Sequence, residues 1–405
     1  MSKKIICIAV TICLLLGISG CRENTSDDTL VLAIRDGMYA EAIKKCLPAF
    51  EEEHGVKCEI YALSEEDLYS YVLNDSVLKK GSYDLCMVDS SWVAEYVAED
   101  VLTDLGALGC TIDDDIIPET ASICIQDGTT YLMPFYGNVT VLMFNEYTAS
   151  KFNYTKENLD TLEELLDFCQ RACKNTNGGF AYRGDTENNV VVDFLPILRA
   201  FGGWVVDENN NPTINTEEFE AAMNYYLELI ATEMAHPKEE IIKGIEFSSI
   251  AAAVGWPGWY KAKENIDLTY IAFPSKVNED SPSYNCSIYG IWTLGIPQNS
   301  TKKELAGELL KYLMDPGIQK ETVHAGGVPC RYSVLNDPEL NAEKPELSVI
   351  CRALENGVYR PVMREWPRFY AILGEAMKKI MKGDLTVSEG MLLAQAELEK
   401  LMNGE

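Results

Sequence analysis

Trp256 and Trp259 stand three residues apart in a Pro-Gly loop that follows a small-residue apolar run (SSIAAAVGWPGWY, 248–260). Indole faces of this kind stack on the CH faces of a sugar ring or on a cation. Trp92, Trp292 and Trp366 are further candidate plates, whereas Trp204, beside Gly202-Gly203, is expected to pack in a core. Asp89 closes an apolar run (YDLCMVD, 83–89), where a carboxylate can accept from two ligand hydroxyls or cap the next helix. Aromatic plates beside fixed polar groups suit a polyhydroxylated solute, and the same aromatics and acids would serve a polyamine or another cationic solute.

Bond-breaking chemistry has weaker support. Ser300-Thr-Lys-Lys303 spells SxxK, but SDN and KTG are missing, and Ser300 is placed to cap a helix. GxSxG and HExxH do not occur, and His54, His236 and His324 are scattered. A glycosidase on the cell surface needs only two carboxylates at the right separation, which a sequence does not reveal. Asp207, Asn209, Asn211 and Glu218 match several positions of a calcium loop, but Pro212 replaces the turn-making glycine. No metal and no cofactor is therefore expected, and the chain is expected not to be an enzyme.

The elements that must position these residues follow from periodicity. Thr29–Ile34, Cys58–Leu63 and Tyr83–Asp89 read as strands. Ile43, Leu47 and Phe50 mark one face of a helix ending at Gly55, and a second helix is expected over 65–80. Strand, helix, strand within about thirty residues predicts βαβ units and a largely parallel sheet. Further strands are expected at 131–136, 140–145, 270–274 and 292–297. Thr161 with Glu164, and Thr386 with Glu389, have the capping-box spacing and predict helix starts. Leu305, Leu309, Leu310 and Leu313 define another helix, with Asp315-Pro316-Gly317 as its stop.

Before Thr29 the chain reads as an address. Lys3 and Lys4 precede an apolar run from Ile5 to Leu16, and Ile18-Ser19-Gly20-Cys21 resembles a bacterial lipobox. Residues 1–20 are thus expected to be a signal peptide and Cys21 a lipidated residue. Residues 21–28 are expected to form a polar tether holding an extracytoplasmic protein at the cell membrane. Loss of Lys3 and Lys4 leaves 32 basic residues against 63 acidic ones, a net charge near −31, which excludes nucleic acid as a natural partner. Of thirteen cysteines, ten remain after Cys7, Cys13 and Cys21 are set aside. Their apolar settings favour buried thiols over disulfides.

Several segments in register are similar to the extracellular solute-binding proteins that serve ABC sugar importers. They include YDLCMVDSSWVAEYVAEDVLTDL (83–105), DGTTYLMPFYGNVTVLMFNEYTASK (127–151), the stretch 195–230, WTLGIPQNSTKKELAGELLKYLMDPGIQK (292–320) and GGVPCRYSVLNDPEL (326–340). The resemblance implies an α/β fold of two lobes joined by crossing hinge strands. Residues 29–136 plus 290–340 would form the N-terminal lobe, and 137–289 plus 341–405 the C-terminal lobe. It implies capture of a mono- or oligosaccharide in the cleft between lobes, and delivery by a monomer to permease subunits. Strand ends would bring Asp36, Tyr39, Asp89, Ser91 and Trp92 to that cleft. Tyr136 and Asn138 would lie on the crossover, with Gly137 and Gly290 at the hinge. The resemblance also implies a stacking aromatic in the 256–259 loop, and it places Arg331 either on the ligand side or bonded to backbone carbonyls. Asn188, Asn189 and Asp193 are weaker candidates.

Overall fold

A computed structural model describes residues 29–175, 178–259 and 267–404; Cys21, its tether and Tyr260 lie outside the described residues. Thr29–Arg35 (β1), Met38–His54 (α1), Lys57–Leu63 (β2), Glu65–Ser76 (α2) and Leu85–Asp89 (β3) open the fold. β1 pairs in parallel with β2 and β3. Leu30 to Ile34 are all buried because both of its faces are covered, which is why the strand reads as an unbroken apolar run. α1 ends where Gly55 turns left-handed at φ 67°. α2 stops at Ser76, short of the expected Lys80, and the Asp75 carboxylate accepts the Ser82 amide at 2.9 Å, turning the chain toward β3.

Met133–Tyr136 (β4) ends the first passage. A second group follows: Val141–Asn145 (β5), Leu162–Lys174 (α3), Gly178–Ala181 (β6), Glu187–Ala200 (α4), Glu217–Ile230 (α5), Lys238–Glu246 (α6), Ile250–Gly255 (β7) and Leu268–Ala272 (β8). Trp292–Gly295 (β9) and Lys303–Leu313 (α7) return to the first group, and Leu347–Glu355 (α8), Trp366–Met381 (α9) and Val387–Met402 (α10) complete the chain. The first sheet has the order β2-β1-β3-β9-β4 and the second β8-β5-β7-β6. β9 runs antiparallel to β3 and β4, so the sheet is mixed rather than wholly parallel.

Both expected capping boxes form. Thr161 Oγ1 accepts the Glu164 amide at 3.2 Å while Glu164 Oε2 accepts the Thr161 amide at 2.9 Å, and Thr386 and Glu389 do the same. Ser300 meets expectation only in part, since its Oγ accepts the Lys302 amide at 3.1 Å just before the helix. Its hydroxyl donates to the buried Asp84 carboxylate at 2.8 Å, and α7 starts at Lys303 without a side-chain cap. Asp84 also accepts the Val31 amide at 3.0 Å, so one buried acid ties β1 to the loop after β9. Asp315 does more than stop α7: with Pro316 at the first helical position it caps a further helix over Pro316–Val323.

The lobes are joined by three short passages that bond to one another. Val139 bridges Tyr289, and the Thr140 amide donates to Ile288 O at 2.9 Å. Ser287-Ile288 pairs with Gly357-Val358. Glycine is required here by close approach: a Cβ on Gly137 would fall 2.8 Å from Leu354 Cδ1, and one on Gly357 would fall 2.1 Å from the Tyr289 ring. α8 puts Leu347, Ile350 and Leu354 into the core that runs from the first sheet to Met143, Leu268 and Tyr270 of the second. α9 and α10 belong to the core of the second.

No disulfide joins the ten described cysteines, and Cys173 is the exposed one. Burial pushes the Cys86 and Cys330 thiols up to about 12. A chain of residues 29–405 should show ten titratable thiols in denaturant and rapid reaction of Cys173 alone when native. Fewer than ten under denaturing, non-reducing conditions would reveal a disulfide.

Candidate functional site

The carboxyl ends of β1 and β3 and the start of β9 meet at one edge of the first sheet, because the antiparallel register sets Trp292 opposite Asp89. The ends of β6 and β7 and the starts of α4 and α6 face them from the second lobe. Between lies a cleft of about 460 Å³, within the range of small-molecule sites. Asp36, Tyr39, Asp89, Asn138, Trp256, Trp259 and Trp292 line it, together with Asn188 and Asn189.

The aromatic wall is built in two layers. Trp292 lies at the cleft, with Trp92 edge-on behind it at 5.4 Å and Tyr39 beside it at 5.4 Å. Tyr39 in turn packs on Tyr136 at 4.5 Å, and the Tyr136 hydroxyl donates to Gly326 O at 2.8 Å. Trp92 and Tyr136 therefore support the wall and do not line the cleft. Trp256 packs over Gly290, where a Cβ would fall 2.8 Å from its ring. Trp259 carries the Arg183 guanidinium 5.1 Å from its ring centre and the Lys238 ammonium at 5.8 Å.

The charged groups are held in chains of bonds. Arg183 Nε donates to buried Asp193 at 3.1 Å, its Nη1 donates to Asn189 Oδ1 at 2.7 Å, and Asn189 donates to Asp185 at 2.8 Å. Burial raises the Asp193 carboxyl, and the Arg183 charge and hydrogen bonds oppose that rise. Asp193 thus sits beneath Arg183 and orients it. Asp89 Oδ1 accepts from the Ser91 amide at 2.8 Å, the Ser91 hydroxyl at 2.6 Å and Arg360 Nη2 at 2.7 Å. Asp89 thus caps the turn that Ser91 belongs to, and Ser91 does not line the cleft. Glu65, at the start of α2, is raised by burial and by the nearby Asp89 charge.

Two expected ligand residues lie elsewhere. Arg331 is 1% exposed; its Nη1 bonds Asp113 at 2.8 Å and Asp115 at 3.0 Å, and its Nη2 bonds Met314 O at 2.8 Å. It ties the 113–115 loop to the end of α7. Trp366 is wholly buried in the second core, stacked on Phe369 at 5.5 Å. In both cases the interior claims a side chain whose type suits a ligand, Arg331 through carboxylates and a carbonyl and Trp366 through apolar packing. Conversely, the cleft includes Arg35, Glu65, Arg183, Asp185, Lys238 and Arg360, none singled out from sequence. Arg183 follows β6, a Gly-Gly-Phe-Ala strand too short and glycine-rich to register as one. Arg360 was findable as a lone cation in an apolar run, VYRPV (358–362).

Among the described residues no group of His, Cys, Asp or Glu is arranged to hold a metal ion, and no helix is long and apolar enough to cross a membrane. Two lobes, a mixed sheet in each, and a polar and aromatic cleft at the hinge define a solute-binding architecture. The chain belongs to the bacterial extracellular solute-binding protein family, whose model matches residues 35–320. It is 22% identical over 388 residues to a probable amino-acid ABC transporter periplasmic-binding protein, y4oP, of Sinorhizobium fredii, covering 90% of this chain and 87% of that protein. Its fold is similar to an Agrobacterium radiobacter K84 ABC transporter solute-binding protein in complex with ribitol. That match has a TM-score of 0.79 and 23% identity over 93% of this chain and 99% of the other. Maltose-bound MalE3 of T. maritima is similar too, with a TM-score of 0.79 and 21% identity over 92% and 99%.

Arg331→Ala should lower stability by about 2–3 kcal/mol, less than loss of a fully buried ion-pair partner because both carboxylates remain partly hydrated. Solute affinity should stay within about twofold of the parent. Although desolvation opposes it, hydrogen bonds from Ser333 and Arg331 hold Asp115 below its ordinary pKa. Its contribution is therefore complete above about pH 4 and lost as pH falls through the depressed value. Asp115→Asn should flatten that acid limb in urea melts; an unchanged limb would contradict the assignment.

Proposed function

We propose that the cleft reversibly captures a carbohydrate or polyol, without chemistry, and that hinge closure presents the loaded protein to ABC permease subunits. The observation that carries the reading is the pairing of aromatic faces with polar atoms the chain leaves unbonded. Asn138 Oδ1, Asn188 Oδ1 and Arg360 Nε are buried without a hydrogen-bond partner among the described residues, and all three residues line the cleft with Trp256, Trp259 and Trp292. Buried polar atoms in folded proteins are paired as a rule, so unpaired ones converging on a cleft point to a polar ligand. A polyol or sugar offers hydroxyls for these atoms and CH faces for the indoles.

Likeness to the ribitol and maltose binders supports this class of solute. Five carboxylates, Asp36, Glu65, Asp89, Asp185 and Glu239, line the same space, but the four cations among them, Arg35, Arg183, Lys238 and Arg360, would repel a polyamine. Membership of a binding-protein family supports the absence of catalysis. We further assign Cys21 as the lipid attachment point, with the mature chain working outside the cytoplasm as a monomer. A tether keeps a carrier near its permease without a new contact.

A thermal-shift and calorimetric screen of neutral and acidic carbohydrates, polyols, polyamines and amino acids checks the assignment. A carbohydrate or polyol should raise Tm, and Trp259→Ala should weaken its binding by about tenfold or more, roughly 1.4 kcal/mol. A melting temperature raised by spermidine or an amino acid alone would sink the assignment, as would any glycoside turned over by the pure protein.

A further inference from the structure

We propose that the solute is a sugar acid, a uronate or aldonate, whose carboxylate is held between Arg35 on the first lobe and Arg183 and Lys238 on the second. This rests on the reading of the cleft as a carbohydrate site and narrows it to one charge class.

The argument begins with which charges in the cleft are already neutralised. Arg35 contacts Asp36, Arg360 pairs with Asp89 at 2.7 Å, and Arg183 is bound to Asp193 beneath it. Asp185 accepts from Asn189 and is held below its ordinary pKa by that bond, although desolvation opposes it. Lys238 has no carboxylate within ion-pair distance among the described residues. Its ammonium loses hydration at the cleft and stands near Arg35 and Arg183, which together hold it below the ordinary lysine range against the pull of Glu239 and Asp36. Three cations from both lobes thus converge near Trp259 and Trp292, with Arg35 6.0 Å from the Trp292 ring centre.

The backbone adds to the same spot. Lys238 is the first residue of α6, and Pro237 at its N-cap supplies no side-chain cap. The Glu240 and Ile241 amides are bonded to Pro237 O, and Pro237, Lys238 and Glu239 at the start of the helix line the cleft. A helix start without a cap favours an anion. Glu239 opposes this, while the other first-turn acid, Glu240, is engaged 3.3 Å from His236. Independently of the helix, Arg360 is 8% exposed, lines the cleft and keeps its Nε unbonded among the described residues, so the cleft has a donor free for a ligand oxygen as well as one cation, Lys238, without a paired acid. A planar carboxylate between guanidinium groups is the geometry they bind best. The chain's overall negative charge does not forbid this, since charges beyond about 8 Å are largely screened at physiological salt.

The test uses matched pairs that differ in the acid group: D-glucuronate and D-glucose, D-galacturonate and D-galactose, D-gluconate and D-glucitol. They are titrated calorimetrically into the 21–405 chain at 150 mM salt, with Cys21 replaced by Ser. At least one acid should bind tenfold or more tightly than its neutral partner. Lys238→Met should cut that ratio at least fivefold, and Lys238→Arg should largely restore it. A neutral member binding as tightly as its acid overturns the sugar-acid assignment and leaves the carbohydrate reading standing. An undiminished ratio in Lys238→Met, with the parent's melting temperature, also overturns it. Binding of no carbohydrate, neutral or acidic, overturns the broader reading itself.

Discussion

A polypeptide that passes between two lobes must satisfy its backbone at the crossing, where neither sheet reaches. Here the three passages solve this by bonding to one another: Gly290 donates to Asn138 O at 2.9 Å, Thr140 to Ile288 O, and Tyr289 to Val358 O at 2.9 Å. Much else follows from that small ladder. It holds the strand ends of both sheets toward a shared cleft, and it carries Asn138, Gly290 and Arg360 into the cleft wall. The glycines at the crossing lack a Cβ because side chains from both lobes press against them. In the proposed closure, the ladder is both the axis and part of the site.

The cleft manages an electrostatic problem. Charges withdrawn from water are costly unless paired, and each arginine there has an acid within reach. The pairings differ in what they achieve. Asp193 lies under Arg183 and faces away from solvent, so it orients the guanidinium and leaves its face on Trp259. Asp89 is shared by Ser91 and Arg360, which leaves Arg360 Nε unbonded. Among the described residues Lys238 has no such acid. A net charge near −31 for the mature chain mildly disfavours anionic solutes when taken alone. In the proposed sugar-acid site the local arrangement would reverse that expectation, because short distances in a partly dehydrated cleft outweigh a screened distant field.

Local signals carried most of the element assignments. The capping boxes at Thr161 and Thr386 depend on residues three apart, and both form as spaced. The Gly55 stop and the apolar run of β1 are equally local. Asp315-Pro316-Gly317 stops α7 as spaced and starts a further helix, whereas Ser300 is only partly explained by its own neighbourhood. Ser300 is drawn to Asp84, 216 residues away, and Asp315 finds Pro316 able to begin a helix as well as end one.

Within the site, the residues legible from sequence were those whose role follows from position along one strand. Asp36 and Asp89 end strands, Trp292 begins one, and Trp256 and Trp259 sit on the loop after another; all line the cleft. Side-chain type misled at Arg331 and Trp366, since a guanidinium serves equally well to tie loops and an indole to fill a core. Arg35 and Lys238 required knowledge of which segments meet across the hinge. The sequence by itself thus determined the elements, the strand ends and the aromatic plates, because these depend on spacing over a few residues. Only the tertiary structure decided which charges face one another in the cleft and which remain unpaired, because that depends on contacts between residues hundreds of positions apart.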